Sequence, residues 1–256
     1  MSPRAIPRKP KSHPANQLLA ALPSKTYQRL QSGLERVNLV FGDVISQPGD
    51  TARHIYFPND SLISLLVAVE GNGNGSLEVG MVGKEGMVGI PLALGRPKSP
   101  VRVLVQGGGS AMRMSGKRFA AELKRNGGLK LQLDRCLYVA MMTAMQIAAC
   151  NKSHLLAERL ARWLLMVRDR TELDTFLLTQ EFLAIMLGSR RTTVTAAAGA
   201  LQRKGLIRYS RGRIHVCNPE SLGNVACECY RTVRELYASF YCGAPELDEN
   251  SRPSFA

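Results

Sequence analysis

Residues Leu178–Ile214 read LTQEFLAIMLGSRRTTVTAAAGALQRKGLIRYSRGRI, and the punctuation of this stretch decides the fold of the C-terminal part. Thr179 can cap a helix over roughly Gln180–Leu187, because its hydroxyl can accept a backbone N–H left open at a helix start. Gly188 ends that helix, since glycine accepts the left-handed turn past a helix C-terminus. Ser189 is then expected to cap a second helix running to about Lys204, closed by Gly205. Two helices joined by a tight glycine-containing turn make a helix-turn-helix. The first is expected to bury Phe182, Leu183 and Met186, and the second Val194, Ala197, Ala198 and Leu201. After Gly205, LIRYSRGRIHV places two strand-like runs around Ser210–Arg211–Gly212, a β-hairpin wing.

The outward face of the second helix carries Arg190, Arg191, Thr192, Thr195, Ala196 and Arg203. In a helix-turn-helix that helix lies in the major groove with its N-terminal residues on base edges. Arginine suits a bidentate contact to guanine, and threonine can donate, accept, or meet a thymine methyl. Wing arginines suit phosphates. The candidate DNA contacts are therefore Thr179, Gln180, Ser189, Arg190, Arg191, Thr192, Thr193, Thr195, Arg203, Arg208, Arg211 and Arg213. An ordinary helical hairpin with a solvated Arg/Thr face is the plainer alternative. Caps, turn, wing and local charge together outweigh it.

The charge agrees. The 256 residues hold 34 Lys and Arg against 20 Asp and Glu, a net +14. Residues 1–25 carry +5, 26–151 carry +5, 152–216 carry +7 and 217–256 carry −3. An excess this large points to a polyanionic partner. An anionic membrane surface would also account for it, but the basic residues lie on a winged fold and not on one amphipathic helix. No apolar run approaches the roughly 20 residues of a membrane span. The start, MSPRAIPRKPKSHP, has no apolar core of a secretory signal. Six Cys without paired spacing fit a reducing, cytoplasmic setting.

Outward from the motif, residues 1–16 read as a disordered basic tail and 16–36 as one or two short helices. From Val37 to about Met114 short β-rich runs (VNLVFGDVI, HIYFP, SLISLLVAV, LEVGMV, VRVLVQ, SAMRMS) alternate with Gly, Pro, Asn and Asp, the pattern of an all-β sandwich or barrel. GNGNG at Gly71–Gly75 reads as a hairpin turn, and GGG at Gly107–Gly109 as a turn. Residues 117–170 read as helices. Within 129–151, Leu133, Leu137, Ala140, Ala144 and Ile147 step by three and four along one face. That face can pack on the β-domain or on a second copy, and periodicity favours neither. A helix is expected over His154–Arg170, then a loop with a short strand over 171–178, and another helix over 220–241. The domain expectation is a tail at 1–16, a β-domain at 17–128, the long helix at 129–151, the winged domain at 152–222, and a C-terminal helix and tail at 223–256.

Leu178–Ile214, with VGMVGKEGMVGIPLALG at Val79–Gly95, resembles the Crp/Fnr family of bacterial transcription regulators. The likeness covers about residues 20–222 in that family's order. It implies an α+β chain: a cyclic-nucleotide-binding-like β-roll, a long dimerisation helix and a winged helix-turn-helix. It also implies a homodimer on a near-palindromic operator, contact with RNA polymerase, and Leu133, Leu137, Ala140, Ala144 and Ile147 at the dimer interface. Arg191 matches the arginine that commonly reads guanine. Thr192 and Ala196 stand where cyclic-AMP-type members carry a glutamate and a second arginine, so the operator should differ from theirs.

The resemblance also locates an effector pocket around Gly89, Ile90, Pro91 and Arg102. Cyclic-nucleotide-binding members need Gly-Glu for the ribose and Arg-Ser for the phosphate. Here Gly89 is followed by Ile90 and Pro91, and RPKSPVRVLV (Arg96–Val105) has no Arg-Ser pair. Burying an unpaired phosphate is costly, so no cyclic nucleotide and no other cofactor is expected. The N-terminal cysteines of oxygen-sensing members are absent, the first Cys being Cys136. Cys227 and Cys229 could form a thiol redox site with Cys217 and Cys242, although buried structural cysteine is the commoner case. On one helix residues two apart point about 200° apart, so the pair cannot share a metal unless the helix breaks. His13, His54, His154 and His215 show no ligand spacing, so no metal is expected. An enzyme is not expected either: the chain has no Walker loop, nucleophile elbow or plausible carboxylate pair. The alternative to a DNA-binding regulator is a sensor module whose output is a cyclic-nucleotide or thiol-redox response.

Overall fold

A computed structural model describes residues 14–69 and 75–241. The basic tail before residue 14, most of the GNGNG turn, Cys242 and the acidic tail lie outside the described residues. The chain opens with helices α1 (Gln17–Ala20) and α2 (Ser24–Gln31). Strands β1 (Glu35–Leu39), β2 (Val44–Ser46), β3 (His54–Pro58), β4 (Leu62–Ala68) and β5 (Ser76–Val82) follow, then the short helix α3 (Ile90–Ala93). Strands β6 (Arg102–Gly107) and β7 (Gly109–Ser115) complete the β-roll. All seven pair antiparallel, in two sheets of order β1-β7-β3 and β2-β6-β4-β5. The single run expected at VNLVFGDVI is two strands, divided where Gly42 takes φ 90°. At the GGG turn, a Cβ on Gly109 would come within 2.8 Å of the Asp60 carbonyl carbon, so only glycine lets these backbones meet.

Three helices carry the chain onward: α4 (Gly116–Arg125), α5 (Gly127–Ser153) and α6 (Leu156–Thr171). Asn126 caps α5, its side chain accepting from Gly128 and Leu129 N–H. The 27 residues of α5 span about 40 Å. His154, expected inside α6, is the C-cap of α5, with extended backbone (φ −112°, ψ 150°). Strand β8 (Thr175–Leu177), helices α7 (Gln180–Met186) and α8 (Arg191–Arg203), and strands β9 (Ile207–Ser210) and β10 (Arg213–Val216) form the winged unit, with sheet order β8-β10-β9. The continuous helix expected over 220–241 is two, α9 (Pro219–Val225) and α10 (Cys229–Tyr241), parted by residues 226–228. Ala226 there is extended (φ −66°, ψ 147°).

The β-roll and the winged unit share one core. Leu62, Leu66, Met81 and Leu104 of the roll pack in the same apolar cluster as Trp163, Leu164, Leu183, Val194 and Leu201. Two polar links cross the same boundary. Trp163 donates to Glu78, and the buried Arg170 guanidinium pairs with Glu85 at 2.8 Å. Breaking such a buried ion pair by removing one partner typically costs about 3–5 kcal/mol. A second cluster joins Leu18, Leu30, Phe57 and Phe119 to Leu129 and Leu133 of α5.

Candidate nucleic-acid interface

The helix-turn-helix is built by the local chemistry of its own residues. Thr179 caps α7, its hydroxyl accepting from Phe182 N–H at 3.1 Å. Gly188 takes φ 56° in the turn, and a Cβ there would come within 2.5 Å of Leu77 on β5. Glycine thus supplies both the left-handed turn and the close approach. The cap of α8 is Arg190, in extended conformation and without a side-chain cap bond, not Ser189. Ser189 lies one residue earlier, in the turn. Leu183, Ala184 and Met186 of α7 face Val194, Ala197, Ala198 and Leu201 of α8, all buried. Phe182, expected in the core, is half-buried against Phe41, with ring centroids 5.8 Å apart.

The opposite face is solvent-exposed. Arg190, Arg191, Thr192, Thr193, Thr195 and Ala196 are all exposed at the N-terminal half of α8, with Arg203 exposed at its end. Thr195 donates to Gln180 Oε1 at 2.8 Å, which ties the first helix to the exposed face of the second. Arg191 stands 3.7 Å from Glu181, and both side chains are mostly exposed, so the pair is loosely held. The wing turns at Arg211 (φ 48°) and Gly212 (φ 72°), the double positive φ of a two-residue hairpin. It exposes Arg208, Arg211 and Arg213 beside α8. Tyr209 fixes the wing on the motif: its N–H donates to Gln202 at 2.7 Å and its hydroxyl to Leu178 C=O at 3.0 Å. An open groove runs between Thr179, Gln180 and Arg191 on one side and Tyr209–Gly212 on the other.

The long helix divides its faces differently from the stripe singled out in the sequence. Leu133 is buried in the chain's own core, and Leu137 and Ile147 are half-buried against it. Ala140 and Ala144 are exposed, alongside Tyr138, Met141 and Met145, which the sequence reading missed. Positions 134, 138, 141, 145 and 148 are all exposed and follow a four-three alternation, the spacing of a helix–helix seam.

In the β-roll a cavity of about 610 Å³ opens beside α3. Gly89, Ile90 and Pro91 line it, but Arg102 does not. The ionisable residues lining it include Asp50, Arg53 and His54. Burial, and next the Arg113 guanidinium, hold the His54 imidazole below its usual value, so it is neutral at neutral pH. Gly89 is left-handed at φ 106°, and a Cβ would press on the His54 carbonyl at 3.2 Å.

Cys227 and Cys229 are not on one helix. Cys227 lies in the break between α9 and α10, Cys229 opens α10, and both meet the end of α5, where Cys150 Sγ lies 3.5 Å from Cys227 Sγ. The hydrogen bond from Cys227 is the main reason the Cys150 thiol is drawn down to about 5; burial opposes it, and Arg162 and His154 add to it. Cys217 is exposed and stands apart from this group.

Comparison with known proteins adds three findings. Residues 158–225 match the Crp-like helix-turn-helix domain. No curated protein matches the chain significantly. Among solved structures, a Crp/Fnr-family transcriptional regulator from Eubacterium rectale aligns with TM-score 0.62 and 15% identity, over 80% of this chain and 94% of that one. A CRP-family transcriptional regulator from Thermus thermophilus aligns with TM-score 0.61 and 18% identity, over 75% and 96%. The c-di-GMP responsive global regulator of Xanthomonas campestris aligns with TM-score 0.52 and 16% identity, over 77% and 100%. Such likenesses establish a shared fold. No described helix is long and apolar enough to cross a membrane.

Proposed function

We propose that this chain, a Crp/Fnr-type regulator by its helix-turn-helix domain and its fold, binds duplex DNA sequence-specifically as a homodimer and regulates transcription. The observation that carries the reading is the exposed N-terminal half of α8. Arg190, Arg191, Thr192 and Thr195 stand there with no core role, flanked by the arginines of the wing. A B-form major groove, about 12 Å wide, admits such a helix. Arg191 then reads a base edge, while Arg208, Arg211 and Arg213 neutralise phosphates. Contact with RNA polymerase belongs to the same reading.

The dimer forms along the exposed apolar side of α5, through Tyr138, Met141, Ala144 and Met145. Two winged units on one axis then meet half-sites about one helical turn apart, which makes the operator near-palindromic. The effector cavity takes no cyclic nucleotide. Ile90 follows Gly89 where a ribose would need a glutamate, and the acid and the fixed cation on its wall, Asp50 and Arg53, are both exposed. Selecting binding sites from random duplex DNA tests the whole reading. A palindromic consensus is expected, and recovery of unenriched sequence would overturn it.

A further inference from the structure

We propose that Cys150, His154, Cys227 and Cys229 hold a single tetrahedral metal ion of the zinc class, pinning the C-terminal helices to the junction of α5 and α6. Their ligand atoms all lie within 4.8 Å of one another. Cys150 and Cys227 sulfurs are 3.5 Å apart, and Cys229 Sγ is 3.7 Å from His154 Nδ1. With metal–sulfur bonds of about 2.3 Å and metal–nitrogen bonds of about 2.0 Å, a tetrahedron has edges of about 3.5–3.8 Å. Those two edges already match, and with all four atoms within 4.8 Å of one another the remaining edges need close by little more than about 1 Å.

Each element contributes for a local reason. Cys150 and His154 are four apart at the end of α5, so they share a face. A regular helix through 227–229 would point the two thiols apart. The break at 226–228 removes that obstacle and turns both sulfurs to one side. Three thiols and an imidazole match a structural zinc donor set, and a site with four protein ligands is closed to substrate.

The surroundings fit as well. His154 Nε2 lies 3.0 Å from the Glu228 carboxylate, leaving Nδ1 for the ion. A carboxylate behind a ligating histidine orients the ring and fixes its tautomer. Gln146 Nε2 donates to Cys229 Sγ at 3.1 Å. Three thiolates on a dication carry one net negative charge. Arg162 is buried, and its Nε has no hydrogen-bond partner among the described residues. A thiol pair poised for a disulfide would explain Cys150 and Cys227, but would leave Cys229, His154 and Glu228 without a part. On binding, the thiol protons pass to solvent.

The test is metal analysis of the full chain, purified under reducing conditions without chelator, with cobalt(II) substitution as the spectroscopic readout. One zinc per chain is expected, and cobalt should give the intense visible bands of a tetrahedral thiolate site. Cys227→Ser and Cys229→Ser should lose the ion, Cys217→Ser should keep it, and His154→Cys should retain it with a shifted cobalt spectrum. Three results would overturn the proposal, each on protein whose circular dichroism shows it folded: failure to hold zinc even after reconstitution, iron accompanied by inorganic sulfide, or a Cys150–Cys227 disulfide that survives as the stable form in reductant.

Discussion

Trp163 donates its indole N–H to Glu78 Oε1 at 2.8 Å, a bond that joins α6 to strand β5 through the middle of the shared core. Ser64 donates to the other carboxylate oxygen at 2.7 Å. Burial nevertheless dominates and pushes the Glu78 carboxyl up from 4.5 to about 7, against these bonds and against Arg162 and Arg170. The folded chain thus binds this proton more tightly than the unfolded chain. The resulting stability is full below pH 4.5 and is lost as pH rises through about 7. Ionisation costs on the order of 3 kcal/mol. Glu78→Gln keeps an acceptor for Trp163 and has no charge to bury. Between about pH 5 and pH 7 the melting temperature of the native chain should fall relative to that of the variant. Parallel profiles would remove Glu78 as the cause.

Arg191 and Arg211 should fail in different ways. Arg191→Ala should lose about 1–3 kcal/mol at the selected operator and relax the base choice there. Arg211→Ala should weaken binding about equally on all sequences and lower the slope of log affinity against log salt by about one. Fluorescence anisotropy on specific and random duplexes over a salt series separates the two. If Arg191→Ala weakens both duplexes equally, Arg191 touches only phosphate.

The faces of α5 make opposite predictions for neighbouring residues. Met141→Glu and Ala144→Glu put charge on exposed positions, so the chain should stay folded and fall to half its mass by light scattering. Leu133→Glu puts charge at a site 4% exposed inside the chain's own core and should unfold it. A Met141→Glu chain with unchanged mass would place the dimer elsewhere.

Calorimetric titration with cyclic AMP and cyclic GMP should show no binding at micromolar concentrations. Micromolar affinity for either would mean that Arg53 or a rearranged wall supplies the phosphate contact which RPKSPVRVLV lacks.

The winged motif is legible because its signals are local. Thr179, Gly188, Gly205 and the Arg211–Gly212 turn act within three or four residues of themselves, and all four stand where the spacing puts them. Ser189 misleads because Arg190 takes the extended cap conformation without a side-chain bond. The α5 stripe straddles the buried and exposed sides, Leu133 inward and Ala140 and Ala144 outward, because that helix is apolar almost all round. Spacing alone cannot then separate Leu133, which the α1–α2 layer covers, from Tyr138, which it does not. The cysteine group is hidden for another reason. Cys150 and Cys227 are 77 residues apart, and the break that joins them carries neither glycine nor proline. The four-residue step from Cys150 to His154 is the one local hint.

The core that runs unbroken from Leu62 and Met81 to Trp163 and Val194 bears on how this protein can be taken apart. A fragment starting at α6 would carry an indole and several leucines onto its surface, and would lose the carboxylates that pair with Trp163 and Arg170. The winged half is therefore no interchangeable cassette. Grafted onto a foreign sensor, it would need β4 and β5 to travel with it, and a heated full chain should melt in one step.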